Sequence, residues 1–284
     1  MSLDFYRKPT DLSAAGKHAR LLKDLPRDVG ALAKVVQGLL IHEHMTEAYG
    51  VKLPQERHAE AHVRPLEAML DRIVANDARP LSAARAPDGR YVCVCRSFAL
   101  LMVALLRSQN VPARTRCGFG TYFENGKGYD HWVAEYWRES EQRWIMVDAQ
   151  IDDRQRQMFN IAIDTLDVKR DQFLVAGDAW RLCRAGKQDA KNFGILNMWG
   201  YWFIASNLVR DIAALNNREM LPWDVWGIMT QDESQLDFAL FDQLAELTHD
   251  PDKHFDVLRA LFEDPRFAVP GTVFNAVLNR PEAA

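Results

Sequence analysis

From Phe98 to Leu106 every residue is apolar, and this run sits inside a longer helix-forming segment, Cys95 to Arg107. A surface helix keeps one polar face for water, whereas a helix that is apolar all round must be enclosed. Nine residues fall well short of the roughly 18–20 that a membrane span needs. The segment is therefore read as a buried helix of a water-soluble fold. It stops at Asn110-Val-Pro112, because proline disfavours helix in the residue before it.

The rest of the chain must supply the enclosure. Residues 10–75 read as helical, with Leu32, Val35, Val36, Leu39 and Leu40, and then Leu66, Met69, Leu70 and Ile73, at helical spacing. Residues 78–90 hold two prolines and an Asp-Gly pair and read as loop. Beyond the buried helix the period changes. Residues 113–123 are strand-like, 124–128 form a turn, and 131–137 and 142–149 read as two strands joined by a polar loop. Residues 170–184, 195–216 and 235–263 read as helices. One buried helix on an antiparallel sheet, flanked by further helices, is an α+β fold. Three regions follow: an N-terminal helical part (1–89), a core (90–165) and a mainly helical C-terminal region (166–284).

With 284 residues, 48% hydrophobic and 26% charged, the composition is that of a globular protein. A formal charge of −4 gives no basic face for nucleic acid. The N-terminus has no apolar export segment. Four cysteines (Cys93, Cys95, Cys117, Cys183) are too few for a disulfide framework. The expected location is cytoplasmic, and each thiol is to be read as packing, ligand or nucleophile.

Three segments carry candidate chemistry. Cys95 stands at the mouth of the buried helix, where unsatisfied N–H groups and the helix dipole lower a thiol pKa. Its sulfur is expected to face outward. His131 opens one strand of the hairpin and Asp148 ends the other. If Arg138–Glu141 is a four-residue loop, Trp137 faces Gln142 and His131 lies opposite Asp148 on one sheet face. A five-residue loop would instead turn Asp148 to the other face, because side chains alternate.

The run Cys95-Arg-Ser-Phe-Ala, the stretch Leu-Leu-Arg-Ser-Gln-Asn-Val-Pro-Ala-Arg114 leading to Gly118-Phe119, and the later strands His131-Trp-Val-Ala-Glu135 and Trp144-Ile-Met-Val-Asp148 resemble the core of the transglutaminase-like superfamily. The resemblance covers residues 90–150. It implies a papain-like core in which Cys95 is the nucleophile, His131 the base and Asp148 the acid that orients it. It departs from the family pattern at Cys93, where the family often has Gly, and at Ser97, where it often has Asp. The implied function is cofactor-free attack of a thiol on an amide bond of a peptide or protein substrate, with hydrolysis expected over cross-linking. The alternative is a catalytically degenerate member that binds peptide without turnover.

Other residues are weaker candidates. Gln37 is a candidate oxyanion donor, and Trp132, Trp199, Trp202 and Trp223 are candidates for lining a substrate cleft. A zinc site from Cys93, Cys95, Cys117 and His131 is disfavoured by the Cys-x-Cys spacing, so no metal is expected. His42-Glu-His44 and His58-Ala-Glu-Ala-His62 read as solvated helix surface.

Overall fold

The computed structural model describes residues 3–284, so the first two residues of the N-terminal part lie outside it. The apolar helix runs from Cys95 to Ser108, and every residue from Cys95 to Arg107 is buried. It is enclosed by one hydrophobic cluster that reaches from Ala15 to Ala149. This cluster joins the helices Val29–Leu39 and Leu66–Asn76 to the sheet residues Ala134, Tyr136, Ile145 and Val147.

The main sheet is mixed. Strand Ala113–Gly120 pairs antiparallel with Gly128–Arg138 along most of its length, from Ala113 opposite Tyr136 to Gly120 opposite Tyr129. On its outer edge it carries the short strand Phe173–Val175. The far edge of Gly128–Arg138 is shared by two partners. Arg143–Val147 pairs antiparallel with residues 134–138, and Phe193–Ile195 pairs parallel with residues 128–129. Between them, residues 130–133 have no strand on that edge among the described residues.

The hairpin register differs from the expected one. Trp137 faces Trp144 and Ala134 faces Val147, so the four-residue loop is Glu139–Gln142, one residue later than anticipated. Gln142 takes the left-handed conformation that closes the loop. The observed register sets Trp137 against Trp144, with rings 5.8 Å apart and edge to face, an aromatic pair that the alternative lacks.

Elsewhere, residues 10–75 are not continuous helix. Short 3-10 turns occupy Gly16–Leu22, Glu43–Tyr49 and Gln55–His62, and Leu40–His42 is a strand parallel to Tyr91–Cys93. The strand follows from burial: Leu40 and Ile41 point to opposite sides and both find apolar clusters. Downstream, Phe173–Val175 is strand and the adjoining helix starts at Ala176. The region 235–263 divides at Pro251 into Phe238–His249 and Phe255–Leu261. Helix Tyr201–Leu215 packs its apolar side into a second cluster with Phe119, Trp180 and Phe241.

Candidate active site

The unpaired stretch 130–133 is where the helix mouth arrives. In an antiparallel ladder, alternate residues turn both N–H and C=O away from the partner strand. Cys117 and Trp132 face each other as such a pair. The Cys117 N–H turns outward and donates to Asp211 Oδ1 at 3.0 Å. The Trp132 N–H turns to the other edge and, together with the Arg96 N–H at the helix start, is directed at the Cys95 sulfur. The thiol thus occupies a place in the sheet that a third strand would otherwise fill.

Cys95 is only 6% exposed, against the expectation of an outward-facing sulfur. Ala99, Cys117, Trp132 and Ala214 pack around it. Burial pushes the Cys95 thiol well above its ordinary pKa. The charges of Asp130 and Asp148 act in the same direction, and the Arg96 and Trp132 N–H groups oppose them. The anticipated lowering by the helix-mouth N–H groups is therefore present but outweighed by burial.

His131 and Asp148 are brought together in spite of the changed register. His131 Nε2 donates to Asp148 Oδ2 at 2.8 Å, and the two residues are 2% and 1% exposed. Asp148 leaves the ladder after Val147, its N–H taken by the Thr165 carbonyl at 2.9 Å. Its carboxylate also accepts the Tyr122 hydroxyl at 2.6 Å on Oδ2 and the Gln150 N–H at 3.0 Å on Oδ1. Burial pushes this carboxyl up, but the His131 charge and these three donors hold it below the usual range. With Nε2 committed to Asp148, the neutral imidazole keeps its lone pair on Nδ1.

Two aromatic rings from the loop after Gly120 cover the imidazole. Phe123 stands edge-on at 5.1 Å from the His131 ring and contacts Phe159 at 5.7 Å, and Tyr122 lies at 6.2 Å. The strand alternation of residues 113–123 gave no sign of this cover, because the chain leaves the sheet at Gly120. Asp130, beside His131, is buried and its Oδ1 accepts the Asn207 amide at 2.8 Å. Burial raises its carboxyl above the usual range, with Arg210 as the main opposing charge.

The remaining candidates are dispersed. Gln37 is buried and donates Nε2 to the Ile151 carbonyl at 3.1 Å, tying down the chain just beyond Asp148. Trp132 is 1% exposed within the Cys95 cluster. Trp199 stacks edge-on against Tyr129 at 5.5 Å, Trp202 contacts Phe203 at 5.4 Å, and Trp223 lies 4.8 Å from the His62 ring. The three are half-buried in different surroundings.

The two histidine motifs are solvated surface only in part: His44 is exposed, whereas Glu60 and His42 have structural places. Glu60 is buried, pairs with Arg57 at 2.8 Å and accepts the Val92 N–H at 2.8 Å, so it pins the strand that leads to Cys95. His42 is a half-buried strand residue facing Cys93 in the ladder.

A helix carrying a thiol at its start, set against antiparallel strands that present a carboxylate-bound histidine, is an α+β core of the papain-like kind. Residues 71–149 match the model of the transglutaminase-like superfamily. No curated protein matches the chain. Among solved structures, "a Putative Cysteine Protease from Cytophaga hutchinsonii" is 16% identical with a TM-score of 0.36. The match covers 63% of this chain and 49% of that one, so the chain spans about half the length of that protein.

Proposed function

We propose that this protein is a thiol-dependent acyl-transfer enzyme acting on amide bonds of peptides or proteins, with Cys95, His131 and Asp148 as its triad. The observation that carries the reading is the 2.8 Å bond from His131 Nε2 to the ionised Asp148 carboxylate, next to the strand edge at which Cys95 lies. That bond leaves Nδ1 as the acceptor for the thiol proton. The proton moves to His131 as sulfur attacks the carbonyl carbon, and His131 then gives it to the departing amine. His131 acts as the general base at the moment of attack. Water resolves the acyl-enzyme, in preference to a second amine, on the strength of the family resemblance. The chemistry belongs to region 90–165. Regions 1–89 and 166–284 frame it, and the reading includes a cytoplasmic setting. Among the described residues no helix is long and apolar enough to cross a membrane.

One observation favours a second reading, that of a peptide-binding relative without turnover: Cys95 is covered in the resting structure. A thiol-directed activity probe with mass mapping, run with a peptide library, decides between them. The enzyme reading expects the probe on Cys95 and turnover of some peptide, both lost in Cys95→Ala. Peptide binding with an inert Cys95 would establish the alternative.

A further inference from the structure

His42 has a role in neither motif and stands beside the site. It ends the strand Leu40–His42 directly opposite Cys93, and Cys93 precedes Cys95 by two residues. Its Nδ1 accepts the main-chain N–H of His44 at 3.2 Å, and the two rings lie 5.5 Å apart. A ring nitrogen that accepts a hydrogen bond is unprotonated, so the neutral imidazole carries its hydrogen on Nε2. Among the described residues Nε2 has no hydrogen-bond partner, and it is not one of the polar atoms sealed away from solvent. Burial, with the His44 and His131 rings close by, pushes the imidazole pKa down to about 3, so the ring stays neutral near pH 7.

Attack on a carbonyl places a negative charge on its oxygen, and that oxygen needs donors already in position. The first is the Cys95 main-chain N–H, one of the unsatisfied donors at the helix start. Gln37 has its amide nitrogen on the Ile151 carbonyl. We propose that His42 is the second donor, presenting Nε2–H to the oxyanion formed when Cys95 attacks an acyl carbon. The inference rests on the reading of Cys95 as nucleophile. As the S–C bond forms, the carbonyl π pair moves to oxygen and the thiol proton passes to His131. His42 keeps its own proton and only shares it. A neutral donor fits this position, because a cation there would stabilise the thiolate as well as the oxyanion.

The test separates two reactions of one sulfur. Acylation by p-nitrophenyl acetate passes through an oxyanion, whereas alkylation by iodoacetamide displaces iodide and forms none. Both rates are measured on the full chain at one pH, with the modified residue located by mass mapping. His42→Phe, which keeps ring bulk without the donor, should slow acylation of Cys95 by about 10²-fold and leave alkylation within about twofold. His42→Gln, which restores an N–H donor, should recover part of the lost acylation rate. If His42→Phe acylates like the native protein, or if both reactions slow together, His42 is structural and the proposal is wrong. If Cys95 of the native protein takes neither reagent, the failure lies with the nucleophile assignment itself. Acylation of Cys95 that is indifferent to His42 sinks only the oxyanion role.

Discussion

His131 holds Asp148 across a diagonal of the hairpin: the ladder that pairs Ala134 with Val147 leads toward Gln150, not Asp148, opposite His131. The contact survives because the register differs from the expected one by two residues, which keeps Asp148 on the same face. A carboxylate in this position fixes the tautomer and steadies the protonated ring. Asp148→Asn should keep the fold and lower turnover by about 10²–10⁴-fold. Cys95→Ala combined with Asp148→Asn should be no worse than Cys95→Ala alone. Near-normal turnover by Asp148→Asn, on a substrate that Cys95→Ala cannot process, would remove Asp148 from the triad.

The two rings over His131 should separate on mutation. Tyr122→Phe deletes a hydrogen bond to a buried carboxylate, worth about 1.5–3 kcal/mol of unfolding free energy in urea titrations. Phe123→Ala leaves that bond in place and uncovers the site, so iodoacetamide should reach Cys95 faster. An unchanged alkylation rate in Phe123→Ala would mean that the thiol is closed off from another side.

Thiol ionisation should respond to Asp130. After burial, its charge is the largest influence raising the Cys95 pKa. Asp130→Asn removes that charge and keeps an oxygen for Asn207. The pH at which Cys95 alkylation reaches half its maximum should fall relative to the native protein. A midpoint that stays put or rises contradicts the assignment.

Acid should unfold the protein partly through Glu135. Its carboxylate accepts Arg114 Nε at 2.6 Å and Arg116 Nη1 at 3.4 Å. Burial opposes ionisation, but the two guanidinium groups outweigh it and hold the pKa at about 2, against an ordinary 4.5. A depressed folded-state value stabilises the fold above pH 4.5, and that contribution is lost as pH falls from there toward 2. Glu135→Gln should cost about 3–5 kcal/mol at neutral pH, since it leaves buried arginines short of a partner. Its denaturant midpoint should also vary less over that acid window than the native one.

The buried helix was legible because thirteen enclosed positions in a row admit no other placement, and its start at Cys95 is where the sequence put it. His131 and Asp148 were legible as a pair because two strands bracket a polar loop. The loop's position by one residue was not, since Arg138–Glu141 and Glu139–Gln142 are equally polar and only the Trp137–Trp144 contact distinguishes them. His42 and Glu60 escaped notice because they sit among polar residues of no clear period, and their roles depend on strand Tyr91–Cys93, whose contacts lie 51 residues from His42 and 32 from Glu60 in sequence. The short strands at 173–175 and 193–195 are three residues each, too brief for alternation to register.

The slot that receives Cys95 also constrains insertions and deletions. Along strand Gly128–Arg138 only every second residue turns its N–H toward the edge where the thiol sits. At Trp132 that donor meets the sulfur, whereas at His131 and Val133 the main chain turns back to its partner strand. A single-residue change of length between Gly120 and Trp132 that shifted the strand would take away the donor and move the imidazole to the opposite face. A change of two would return a donor to the sulfur but carry the imidazole about 7 Å along the strand. The site therefore tolerates length changes only where the loop before Gly128 absorbs them without moving the strand.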